Sequence, residues 1–171
     1  ECVKAYAESR PGLVRIVRQP PGNALMDMLL RVAEALNLSF PPSTPRRTIQ
    51  EKVSFVLRQC GLFLIWDESH FLIGDSFNRN SAPVRLNWVR DTVMDARLPC
   101  AFISTPQDFQ KRLRRFVSTT RYNVEQFLRR VEVWPDLPDK NDAEDLESVA
   151  ALHFPQFKQS LRLLVVGKVL Q

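Results

Sequence analysis

Glycine is scarce in this sequence, with five among 171 residues. They are scattered, and G-x-x-x-x-G-K-[ST] occurs nowhere, so these residues supply no loop of backbone N–H groups to cradle phosphates and no lysine to reach them. Cysteine is rarer still. Cys2, Cys60 and Cys100 are odd in number, widely spaced and without a C-x-x-C pair. That excludes a disulfide framework or a cysteine-rich zinc site and fits free thiols in a reducing cytoplasm. No apolar run is long enough to cross a bilayer and no signal-peptide pattern is present, so a cytoplasmic protein without a membrane partner is expected. Internal repeats and low-complexity tracts are absent as well.

What is present describes an ordinary globular chain of single-domain size. The net charge is +5 and the pI near 9.4, which permits contact with nucleic acid or acidic partners without establishing it. Helical and strand patterns alternate. Residues 1–10 read as the end of a helix closed by Pro11-Gly12, and 13–18 alternate as a strand does. Leu25, Met28, Leu29, Val32 and Leu36 form one face of a helix, with Asn23 as its expected N-cap. The segment 39–47 is proline-rich and reads as a loop, after which Thr48 and Glu51 have the spacing of a capping box opening a helix through Val53, Val56 and Leu57. A loop over 73–83 precedes a helix over 84–97. A strand over 100–105 runs into a helix with Thr105 as N-cap, Pro106 at N1 and Asp108 at N3. A helix near 123–128, a strand over 130–134, a linker over 135–142 and two helices, 143–152 and 156–170, complete the pattern. Such alternation predicts an α/β fold with a parallel sheet flanked by helices.

The chemistry concentrates in Leu62-Phe63-Leu64-Ile65-Trp66-Asp67-Glu68-Ser69-His70. A bulky apolar run after Gly61 reads as a strand buried on both faces. It ends in two adjacent carboxylates, at the edge where open α/β sheets bind ligands. The bland alternative is a buried strand entering an acidic surface turn. The right-handed crossover rule places the end of the 100–105 strand on the same edge, bringing Ser104 and Thr105 beside Asp67 and Glu68. There a hydroxyl could sense a phosphate, although Thr105 could equally serve as the helix cap alone.

These residues resemble the AAA+ ATPases, and within them the transposon and phage target-selection ATPases of the MuB, IstB and TniB type. Residues 62–72 are similar to a Walker B strand, 98–107 to the sensor-1 strand and following helix, and 127–138 to the last strand. Residues 145–151 with the helix over 157–170 are similar to the small helical lid. The resemblance implies a three-layer parallel-sheet P-loop NTPase core over 1–138 and a lid over 139–171. It implies ATP and Mg²⁺ as cofactors, with Asp67 holding the metal through water and Glu68 polarising the attacking water. Ser104 or Thr105 would be the sensor. It also implies a homo-oligomer that binds duplex DNA without sequence preference and recruits or stimulates a transposase.

The missing phosphate loop departs from that family. Since residues 1–6 look like the helix that follows such a loop, the loop is expected upstream of Glu1; the rival is a non-catalytic adaptor of the same fold. Asp67-Glu68-Ser69-His70 also fits the DExH box of superfamily 2 helicases, but too little chain follows Thr105 for a second RecA-like domain. His70 is therefore expected at the surface of a helix start, and His153 in a structural role. Lys111, Arg112, Arg114, Arg115, Arg121, Arg129 and Arg130 concentrate positive charge after the second strand. A solvated helix face accounts for most such runs. The functional alternatives are DNA phosphate contacts by Lys111 and Arg112 and an arginine finger at Arg114, Arg115 or Arg121. Arg162 is the expected lid arginine.

Overall fold

The apolar run becomes β2 (Phe63–Asp67), the middle strand of a parallel sheet in the computed structural model, which describes residues 2–74, 82–120, 122–133 and 151. In chain order the elements are α1 (Cys2–Glu8), β1 (Val14–Arg18), α2 (Leu25–Ala35), α3 (Arg46–Cys60), β2, a 3₁₀ turn (Ser69–Leu72), α4 (Val84–Val89) continued by a π turn (Arg90–Met94), β3 (Cys100–Phe102), α5 (Pro106–Thr119) and α6 (Glu125–Leu128). The chain divides into two compact units, Glu1–Val131 and Glu132–Gln171. The described elements all belong to the first. The expected linker and lid, with Arg162 and His153, lie outside the described residues, as does Arg121.

The sheet order is β1-β2-β3, with all described pairings parallel. Val14 pairs with Phe63 and Arg18 with Asp67, while Leu64 pairs with Cys100 and Trp66 with Phe102. Leu64, Ile65 and Trp66 are buried in succession, so β2 is covered on both faces, as the absence of alternation in its sequence requires. Both crossovers step the same way across the sheet, and right-handed connections then lie on one face. Met28, Leu29 and Val32 of α2, Ile49, Val53 and Leu57 of α3, and Leu86, Trp88 and Val89 of α4 share a core with Leu64 and Trp66. Trp66 is its centre, edge-on to Trp88 and stacked with Phe102, both at 6.5 Å between ring centroids. Such ring pairs add about 0.5–1.5 kcal/mol beyond their burial. Phe63 points to the other face, where Tyr6 of α1 meets it edge-on.

Several boundaries differ from the sequence expectation for local reasons. Ala24, not Asn23, is the N-cap residue of α2, without a side-chain cap. Helix α3 starts at Arg46 directly after Pro45, so Thr48 already lies in its first turn. Glu51 pairs with Arg47 at 2.8 Å instead of closing a capping box. Gly61, in the left-handed region at φ 56°, ends that helix. Residues 84–97 form α4, a π turn and a final turn rather than one regular helix. The expected strand over 130–134 does not form in its described part: residues 129–130 turn, and the Arg130 guanidinium pairs with Asp95.

Candidate functional site at the carboxyl edge of the sheet

Parallel strands deliver their C-terminal ends to one edge, and three polar segments meet there. Gln19 follows β1 and donates its backbone N–H to the carbonyl of Asp67 at 3.0 Å. Asp67 ends β2. Ser104 and Thr105 follow β3, and the Ser69 N–H reaches the Ile103 carbonyl at 2.9 Å, extending the β2–β3 ladder past the strands. The sequence therefore brings Asp67, Glu68 and Ser104 to one edge by topology alone.

The turn after β2 is sharp. Glu68 adopts φ 54°, ψ 41°, a left-handed conformation that costs a non-glycine residue roughly 1–2 kcal/mol. Its N–H turns back to donate to Asp67 Oδ1 at 3.0 Å. Asp67 and Glu68 are both half-buried. His70, expected at the surface, is instead buried at 6% exposure and lies against the Phe71 ring, 4.2 Å between centroids. Its Nδ1 stands 3.1 Å from Ser104 Oγ and 3.5 Å from Glu68 Oε2. Thus Glu68 and Ser104, far apart in sequence, meet at one imidazole nitrogen.

Thr105 is the N-cap residue of α5 with Pro106 following at N1, as the sequence indicates. Its hydroxyl donates to Asp108 Oδ2 at 2.6 Å. This bond holds the exposed Asp108 carboxyl below the usual carboxylate range, against an opposing effect of burial and with help from the fields of His70, Arg112 and Lys111. The Thr105 side chain is exposed.

Two arginines tie this edge together. Arg85 of α4 is 1% exposed. It donates to the carbonyls of Pro20 (2.7 Å), Ala24 (3.0 and 3.1 Å) and Phe71 (3.3 Å), joining the loop after β1 to the turn after β2. Arg112 of α5, expected to contact DNA, is half-buried; it donates to the Gly74 carbonyl at 3.1 Å and lies over the Phe71 ring. Its tertiary packing makes it a structural tie, whereas Lys111, Arg114 and Arg115 are exposed on α5. Arg129 pairs locally with Glu125.

Gln19, Ser69 and Arg85 carry this edge and were not picked out by sequence reasoning, which noted His70 within the DExH pattern but expected it at the surface. Gln19 is 2% exposed, and neither end of its amide has a hydrogen-bond partner among the described residues; the same holds for the buried Ser69 hydroxyl. Gln19 follows a strand that already carries Arg15 and Arg18, so no local pattern marked it as buried. Unsatisfied buried groups are rare enough that each calls for an explanation such as ordered water or a functional role.

Among the described residues no three His, Cys, Asp or Glu side chains gather into a metal cage. The two half-buried carboxylates of Asp67 and Glu68 are too few for a dehydrated cage and match the one or two that a hydrated Mg²⁺ takes. No described helix is long and apolar enough to cross a membrane. Cys60 is an exposed free thiol, and burial pushes the free Cys100 thiol up to about 11. Compared with known proteins, the chain matches no family model, no curated protein and no solved structure.

Proposed function

We propose that this chain is the greater part of an AAA+-type P-loop ATPase core acting in DNA transposition or a related DNA transaction. The observation that carries the reading is the meeting of Asp67 and Glu68, at the end of a doubly buried central strand, with Ser104 at the end of the neighbouring parallel strand. Asp67 would hold Mg²⁺ through water. Mg²⁺ would supply charge neutralisation of the phosphates, while Glu68 would accept a proton from the attacking water and Ser104 or Thr105 would hydrogen-bond it or the terminal phosphate. The reading requires a phosphate cradle, and the G-x-x-x-x-G-K-[ST] motif that would form one does not occur in these 171 residues. A non-catalytic adaptor of the same fold is favoured by that same lack.

Hydrolysis of Mg·ATP by the natural protein is the direct test. Asp67→Asn should weaken Mg²⁺-dependent turnover strongly, and the 171-residue chain by itself should turn over no ATP. A natural protein that neither binds nor hydrolyses ATP would leave the adaptor. Duplex DNA binding belongs to the same proposal, through Lys111 and Arg112, the latter half-buried and also donating to the Gly74 carbonyl. Affinity should then fall linearly on a log–log plot against salt. An oligomer with Arg114, Arg115 or Arg121 as finger, Arg162 as lid arginine and a transposase as partner completes it.

A further inference from the structure

We infer that His70 is a positioning residue that holds the Glu68 carboxylate and the Ser104 hydroxyl together through its Nδ1–H. The inference rests on the reading of Glu68 as the water-activating base, and adds the group that sets where that base stands. The Glu68 carboxylate, 3.5 Å from Nδ1, can only accept, so a hydrogen on Nδ1 is the tautomer it attracts. With that hydrogen in place the Ser104 oxygen, 3.1 Å away, accepts as well, and its own hydroxyl has the Thr105 carbonyl at 3.2 Å to donate to. One N–H therefore faces two acceptors, one from each strand end.

The surroundings keep the ring in that position. It is buried and lies against Phe71, which is in turn covered by the Arg112 guanidinium from α5. The carbonyl of Phe71 accepts from Arg85. Glu68, by contrast, sits in a left-handed turn that its own backbone disfavours, a conformation that persists where surrounding contacts hold it. A base displaced by about 1 Å from its productive position can cost up to about 100-fold in rate. His70 supplies such a contact, and makes the base and the hydroxyl beside it move as one unit.

Two experiments test this, one independent of ATP turnover. In the 171-residue chain, which has two histidines, long-range ¹⁵N correlation at mildly alkaline pH should show the hydrogen of His70 on Nδ1. Ser104→Ala should shift that nitrogen's resonance. A hydrogen on Nε2 alone would overturn the inference while leaving the ATPase reading intact. In the natural protein, His70→Asn places an amide N–H where Nδ1 stands, whereas His70→Gln places it where Nε2 stands. The Asn variant should keep kcat near wild type; the Gln variant should lose about tenfold or more in kcat with KM for ATP unchanged, as expected of an interaction used in the transition state alone. Equal kcat in both variants, with both folded by thermal melting, would also overturn it. Absence of turnover in the wild type would refute the ATPase reading instead, with the ¹⁵N result unaffected.

Discussion

The turn after β2 and the helix after β3 leave the sheet side by side, yet they handle polarity in opposite ways. In the turn, Ser69, His70, Leu72, Ile73 and Gly74 are all buried, and the Ser69 N–H and the His70 ring reach Ile103 and Ser104, more than thirty residues away. In α5, Lys111, Arg114 and Arg115 face outward, and Asp108 bonds to Thr105 three residues away. Arg112 crosses between the two, reaching Gly74 from α5. The same residue types thus carry different consequences: a polar group is costly to remove where burial prevents water from replacing it, and nearly free to remove where it does not.

That contrast can be broken by mutation. The largest effect should come from Arg85→Met, which keeps the apolar stem but strips hydrogen bonds from the carbonyls of Pro20, Ala24 and Phe71. Hydrogen bonds from a charged donor are worth roughly 1.5–3 kcal/mol each, less at the exposed Ala24, where water can reach the carbonyl. Urea denaturation should show a loss of about 3 kcal/mol or more, and a change below about 1 kcal/mol would mean water takes the guanidinium's place. Gly74→Ala should come next. Gly74 has φ 86°, and an added Cβ would lie 2.4 Å from Asn23 Oδ1. The backbone part alone costs roughly 1–2 kcal/mol. Shortening Asn23 to Ala in the same protein should recover the clash but leave the backbone cost, so full recovery would contradict the left-handed geometry.

The smallest effect belongs to α5. Thr105→Val removes the principal cause of the lowered Asp108 pKa. The carboxyl should titrate closer to the ordinary carboxylate range by NMR. The sign follows from linkage: a carboxyl held low in the fold contributes stability above its unfolded pKa, and that contribution is lost as pH falls through the folded value. The variant should therefore be less sensitive to acid in that range, and an unmoved Asp108 titration would show that the neighbouring cations, not Thr105, hold it.

Much of this was legible in the residues. The unbroken apolar run of β2 and the Thr105-Pro106 start of α5 are local signals, and both elements formed where the pattern put them. The strand expected over 130–134 rested on β-branched alternation, but Arg130 reaches Asp95 and the chain turns there. Tertiary context overrides β-propensity in this way. Helix α3 began two residues before the apparent capping box because Pro45 and the Arg47–Glu51 pair set its first turn. At the site, topology gave the meeting of Asp67 and Glu68 with Ser104. The burial of His70 could not be read, since it depends on Ser104, thirty-four residues away, and on packing against Phe71 that no local pattern encodes.

The claim on which the rest depends is that Glu68 activates water at this edge. Glu68→Gln in the natural protein keeps the side chain's size and its reach to His70 but removes the base. The account predicts that ATP affinity stays within about twofold, while kcat falls by roughly 100-fold or more, the range that general base catalysis supplies. An unchanged kcat would contradict it and remove Glu68, and the ATPase reading built on it, from the mechanism.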